Sequence, residues 1–270
     1  MDLLTIIHIN DGLISLLKPG RKNKLKTFIT FFKIGVKSVL LKNSKTEKFF
    51  GYKINAFDYR SFAMVFLEIF IKNDYYIDLK KEDPVIIDCG GNIGMSVLFF
   101  KYKYPKSKID VFEPLPFNID ILEKNISQNN LSNVSLHKKA VSDSSGIVEF
   151  YYSDPNNNPN SLGASLVHND GFGNSKVKVQ KIRLADFIDK FEEIDLLKMD
   201  IEGSEWETMI DLCKTGKIKK VKNFVCEYHF DSSNMSKPVD EFLKLIRDNG
   251  FVYDVYMNKG VSNVIKAYKK

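Results

Sequence analysis

Cysteine is scarce in this 270-residue chain. The three present, Cys89, Cys213 and Cys226, form no C-x-x-C pair, which excludes a disulfide framework and a cysteine-based structural zinc site. Eight prolines and 15 glycines are too few for a collagen-like or linker-like chain. No run reaches the ~18 uninterrupted apolar residues that a membrane-spanning helix needs. The opening M-D-L-L-T-I-I-H-I-N-D has no basic stretch before its apolar run, and Asp11 follows that run, so a secretory signal is not expected. The expected location is therefore cytoplasmic. What is present suits a folded protein: 44% hydrophobic residues, with 21 Phe and 12 Tyr, and 27% charged residues. Acids are nearly missing from residues 18–48, which hold ten Lys and Arg against Glu47 alone. That segment carries +9 of a net +6, leaving −3 for the rest.

The pattern along the chain divides near residue 80. Residues 1–80 are expected to be a basic helical extension, with an amphipathic helix over 23–41 and another over 59–71. From 81 to 270 short apolar, β-branched runs alternate with helical stretches. Strands are expected at 84–89, 107–112, 134–137, 194–200 and 221–228, and helices at 93–104, 117–129, 185–191, 205–213 and 239–248. Residues 146–152 and 176–182 alternate like a hairpin around the turn-rich 153–175, an inserted loop. Residues 251–257 and 264–268 close the chain as an antiparallel pair. This alternation predicts an α/β doubly wound sheet with helices on both faces. Ligands of such sheets bind beyond the carboxyl ends of the strands.

Four motifs stand at those ends. V-I-I-D-C-G-G-N-I-G-M-S (85–96) places Asp88 before a loop of Gly90, Gly91, Asn92 and Gly94, with Ser96 opening the next helix. A dinucleotide G-x-G-x-x-G ending at Gly94 would need glycine where Cys89 stands, and no G-K-[ST] is present. A carboxylate at this strand end opposes a pyrophosphate but suits a cofactor that carries a cation, as S-adenosylmethionine does. D-V-F-E-P (110–114) puts Glu113 one strand later, where an acid accepts hydrogen bonds from ribose hydroxyls. L-L-K-M-D-I-E-G-S-E-W-E (196–207) ends a strand on Asp200 and follows it with Glu202; Glu205 and Glu207 read as ordinary helix-start acids. F-V-C-E-Y-H (224–229) ends another strand on Glu227 and His229.

With A-V-S-D-S-S-G at 140–146, these motifs make residues 83–230 resemble the FkbM-type family of S-adenosylmethionine-dependent methyltransferases. K-M-D-I-E-G-S-E is its most specific element; the glycine loop is shared with many class I methyltransferases. The resemblance implies a Rossmann-like, mostly parallel seven-stranded sheet with a C-terminal antiparallel strand. It implies cofactor contacts from Asp88, Gly90, Gly91, Asn92, Gly94, Ser96, Glu113, Pro114 and Asn118, with Lys139, Ala140 and Asp143 along the adenine. It also implies methyl transfer to a hydroxyl of a sugar, glycan or related secondary metabolite. The alternatives are a lipid-linked or other small hydroxylated acceptor, or a non-catalytic cofactor-binding scaffold.

A hydroxyl is a weak nucleophile and needs a positioned base or a metal. Asp200, Glu202, Glu227 and His229 are the candidates, and their carboxylate oxygens also suit Mg²⁺. D-I-E-G stands where nucleobase N-methylating enzymes often carry N-P-P-Y, so a nucleic-acid partner is not expected. The basic segment 18–48 has two readings. One is a helix packed on the sheet with a solvated lysine face. The other is peripheral association with an anionic membrane surface, at the inner membrane face.

Overall fold

The computed structural model describes residues 24–41, 43–152, 164–165, 175–229, 239–258 and 262–269. Parts of the basic segment (18–23 and 42) and of the insert (153–163 and 166–174) lie outside them. Helix α1 (Lys24–Leu40) leads into strands β1 (Thr46–Phe49) and β2 (Tyr52–Asn55). Helix α2 (Tyr59–Phe66) is capped by Asp58, whose side chain accepts a hydrogen bond from the Ser61 amide at 2.8 Å. It continues as a π-helical turn over Leu67–Lys72.

The expectation that residues 1–80 are wholly helical is corrected at β1 and β2, which pair antiparallel. Their two-residue turn, Phe50-Gly51, has φ of 51° and 95°, the doubly left-handed geometry that matches strand twist. Phe50 tolerates it because its ring stacks on Tyr102, with centroids 5.1 Å apart.

The main sheet has seven strands in the order β12-β13-β11-β10-β3-β4-β5. These are β3 (Val85–Cys89), β4 (Lys108–Phe112), β5 (Val134–His137), β10 (Leu196–Met199), β11 (Asn223–His229), β12 (Phe251–Asn258) and β13 (Ser262–Lys269). All run parallel except β13, which is antiparallel to both β11 and β12. From β3 the chain passes through α3 (Met95–Lys103), β4 and α4 (Pro116–Gln128) to β5, then returns to β10 on the other side of β3. The order therefore reverses between β3 and β10, where such sheets open a crevice. Helices α6 (Glu205–Lys214) and α7 (Val239–Asp248) complete the crossovers, with α5 (Leu184–Ile188) before β10.

The excursion at 140–183 forms a separate four-stranded sheet, β6-β9-β7-β8. Here β7 (Gly146–Tyr152) and β9 (Ser175–Arg183) pair antiparallel as expected, and β8 (Ala164–Ser165) pairs with β7. Strand β6 (Ala140–Ser142), parallel to β9, had no sequence signal of its own.

One hydrophobic core joins α1, the hairpin and α2 to the sheet. Ile34, Phe49, Ile54, Phe66 and Phe70 are buried with Ile86, Val97 and Phe99. Phe70 meets Phe99 edge-on at 5.2 Å. The buried Asn125 of α4 clamps this union: its Oδ1 accepts from the Asn55 amide at 2.8 Å, and its Nδ2 donates to the carbonyls of Asn55 and Ile93.

Candidate active site

The crevice at the β3–β10 switch is a cleft of about 550 Å³, open on one side. The polar Asn92, Glu113, Asn118 and Lys139, the apolar Pro114, Leu115, Ala140, Val141 and Phe150, and Gly90 line it. Asp200 and Glu202 line it as well.

The glycine loop is shaped by close packing. Gly90 has φ of 88°, and a Cβ there would lie 1.8 Å from the Asp200 carbonyl oxygen, so β3 and β10 reach this proximity only with glycine. Gly91 sits against Val111, where a Cβ would come within 2.3 Å of a methyl. Gly91, Gly94 and Ser96, expected among the cofactor contacts, belong to this loop and the start of its helix, and Ser96 anchors it through Asp88. The Asp143 carboxylate, expected beside the adenine, accepts from the Ser142 and Ser144 hydroxyls.

Asp88, expected to suit a cofactor's cation, faces a cation of the chain itself. Lys198 is its cross-strand partner in the β3–β10 register. Lys198 Nζ lies 3.3 Å from Asp88 Oδ1, and Ser96 Oγ donates to Asp88 Oδ2 at 2.5 Å. The same ammonium donates to the carbonyls of Cys89 and Gly90 and lies 3.5 Å from Asp200 Oδ2. Burial opposes the charge of Lys198, but Asp88 and Asp200 hold its pKa above the usual lysine range. This pair fixes the loop. Lys198 was overlooked in the sequence, although a lysine inside the apolar run L-L-K-M is itself a signal of a buried partner.

Glu113, 3% exposed, lines the cleft with its carboxylate already engaged. It accepts from the Asn92 amide at 2.8 Å, the Leu115 amide at 3.0 Å and Asn118 Nδ2 at 3.1 Å. Burial pushes its pKa up against these hydrogen bonds. Of the roughly four acceptor positions on a carboxylate, three are used within the chain.

The four expected side chains come together around His229. His229 Nε2 lies 3.7 Å from Glu202, 3.9 Å from Asp200 and 4.0 Å from Glu227. On its other side His229 Nδ1 meets Glu205 Oε1 at 3.1 Å. Glu205 does more than start α6: its carboxylate accepts from the Ile201 and Gly203 amides, closing the turn in which Glu202 takes a φ of 54°. Burial works against a charged His229, yet the hydrogen bond to Glu205 and the charges of Glu202 and Asp200 raise its pKa well above the usual value. Burial pushes Glu202 up to about 8, with His229 opposing and Asp200, Glu205 and Glu227 reinforcing.

Tyr75, from the N-terminal part, was also missed. Its buried hydroxyl donates to Asp200 Oδ2 at 3.0 Å and stands 3.3 Å from Glu227 Oε2. Its ring lies over Lys198 Nζ at 5.0 Å. Lys266 of β13 holds the Tyr75 loop by donating to the carbonyls of Asn73 and Tyr76. No spacing rule links residue 75 to residues 200 and 227. Asp200, Glu202 and His229 each offer a ligand-type atom within 4.8 Å of the other two.

The model of the methyltransferase FkbM domain matches residues 88–253. Methyltransferase sdnD of Sordaria araneosa is 34% identical over 172 residues, covering 54% of this chain and 66% of that protein. The 2-O-methyltransferase NoeI of Sinorhizobium fredii is 30% identical over 143 residues, covering 47% and 56%. The chain thus spans less than two thirds of the length of either relative. A solved structure, methyltransferase FkbM from Methylobacillus flagellatus, shares the fold with a TM-score of 0.51 at 12% identity, covering 97% of this chain and 59% of that one. By the extent of the domain match and the motifs within it, the chain belongs to the FkbM methyltransferase domain family.

Proposed function

We propose that this protein is an S-adenosylmethionine-dependent O-methyltransferase acting on a hydroxyl of a sugar, glycan or related secondary metabolite. The observation that carries the reading is the cleft's mixed lining beside a cluster of acids: apolar Pro114, Leu115, Val141 and Phe150 and polar Asn92, Glu113 and Asn118 share it with Asp200 and Glu202, and His229 and Glu227 stand next to these two. The donor set fits such a cofactor. Pro114, Leu115, Val141 and Phe150 would flank its base, and Glu113, Asn92 and Asn118 would face its ribose and amino-acid parts. When bound, S-adenosylmethionine supplies an electrophilic methyl on a sulfonium. The name of the Sinorhizobium relative, a 2-O-methyltransferase, supports oxygen as the acceptor atom.

The chain's own residues then have two tasks. One is to hold the acceptor hydroxyl in line, since alignment supplies much of the rate. The other is to take its proton. Asp200, Glu202, Glu227 and His229 are the groups placed to take it. Tyr75 positions Asp200 and Glu227 from behind.

Calorimetric titration tests the reading. S-adenosylmethionine should bind and NAD should not, and Glu113→Ala should weaken binding roughly tenfold or more by removing charge-assisted hydrogen bonds. Heat from NAD with none from S-adenosylmethionine would overturn the proposal. Unchanged affinity in Glu113→Ala would remove that residue from the site. Chelation separates two routes to the acceptor: transfer that survives EDTA leaves the proton to His229 or a carboxylate, and transfer restored only by Mg²⁺ assigns Asp200, Glu202 and His229 to a metal.

A further inference from the structure

Helix α1 turns its less apolar side inward. At about 100° per residue, Thr27, Thr30 and Ile34 share one stripe, and these are its buried residues. The opposite stripe carries Leu25, Phe28, Ile29, Phe32, Val36 and Leu40, all exposed, with Leu25 and Leu40 at 72% and Phe32 at 65%. The expected solvated lysine face is therefore corrected: the outward face is apolar, and lysines border it. Lys24 lies on one edge, and Lys26, Lys33 and Lys37 lie on the other. A contiguous apolar face of this kind on a surface helix marks an interaction site.

We propose that α1 docks this protein on an anionic lipid bilayer, lying in the plane of the interface. Charge complementarity selects this occupant. Residues 18–46 contain no acid, and the first one, Glu47, is buried under α1 and held by Lys33 and Lys37. A second copy would set lysine rows against lysine rows with no carboxylate to answer them. Anionic headgroups answer them, while the acyl boundary accepts the apolar stripe. The 17-residue helix gives a stripe roughly 25 Å long. Among the described residues no helix is long and apolar enough to cross a membrane, so docking is peripheral. The inference does not rest on the chemistry proposed for the cleft.

Vesicle flotation of the full chain tests it. Phosphatidylglycerol-containing vesicles should carry the protein roughly tenfold or more better than neutral phosphatidylcholine vesicles at low salt, and high salt should erase the difference. The double variant Phe28→Ser/Phe32→Ser changes exposed positions and should keep the thermal midpoint while losing flotation. Lys24→Gln/Lys26→Gln spares the pair with Glu47 and should lose the preference for anionic lipid. Failure of the folded full chain to float with anionic vesicles at low salt overturns the proposal. So does flotation unchanged in the Phe28→Ser/Phe32→Ser variant. In either case sedimentation then identifies the true occupant. A dimer that Phe32→Ser dissociates is a second copy; a monomer points to the chain's own residues 1–23.

Discussion

Lys198 is 1% exposed, inside a strand, between Asp88 on one neighbouring strand and Val225 on the other. A buried ammonium persists only where its partners replace water, and Asp88, the Cys89 and Gly90 carbonyls and Asp200 do so here. The consequence is structural and local to the cleft, because the same four groups form the floor of the glycine loop. Lys198→Met removes the cation and leaves Asp88 buried with Ser96 alone. The expected cost is about 3–5 kcal/mol, read as a lower denaturant midpoint at neutral pH. The double variant Lys198→Met/Asp88→Asn should recover part of that loss, since the uncompensated charge is gone. A single variant as stable as the parent would mean that the pair does not hold the loop.

Glu47 works between elements. From β1 it accepts hydrogen bonds from Lys33 and Lys37 of α1, the Tyr59 hydroxyl of α2 and the Lys48 amide. Burial opposes its ionisation, but these donors bring its pKa down to about 2 from an ordinary 4.5. A depressed carboxylate adds stability above its unfolded pKa and loses it as pH falls toward the folded value. The window is therefore about pH 4.5 down to 2. Glu47→Gln should lower stability near neutrality by roughly 1–2 kcal/mol, discounted for the half-exposed lysines. The difference between variant and parent should shrink from about pH 4.5 downward and vanish near pH 2 in urea titrations; a constant difference across that range would show that the charge is not responsible. In sequence Glu47 was visible only as the one acid in a basic segment. The hairpin around it was invisible, because F-F-G-Y offers neither Asn-Gly nor Asp-Gly. Strands β3, β10 and β11 were legible as apolar runs that end on acids, and α7 was legible from end to end. The pairing of Lys198 with Asp88 was not, since it depends on a register between strands 110 residues apart that no local pattern encodes.

At the scale of the molecule, the expected boundary at residue 80 runs through one core and one site. Phe49, Phe66 and Phe70 pack with Phe99 of α3, Asn55 is held by Asn125 of α4, and Tyr75 reaches Asp200 and Glu227. Lys266 of β13 closes the circuit by holding the loop on which Tyr75 sits. Residues 81–270 alone would expose the apolar faces of β3 and α3 and leave the carboxylates at 200 and 227 without the Tyr75 hydroxyl. The whole chain should therefore unfold in a single cooperative transition. Trp206, the only tryptophan, lies on α6 against a second hydrophobic core that includes Leu197, Met209, Phe224 and Phe242, so its fluorescence reports that core. Its denaturation curve should coincide with that of a dye placed at position 64, an exposed site on α2, through Met64→Cys. The fragment 81–270 should show no cooperative transition at all. Two separated midpoints, or a fragment that melts cooperatively and binds S-adenosylmethionine as tightly as the full chain, would establish the N-terminal part as an independent appendage.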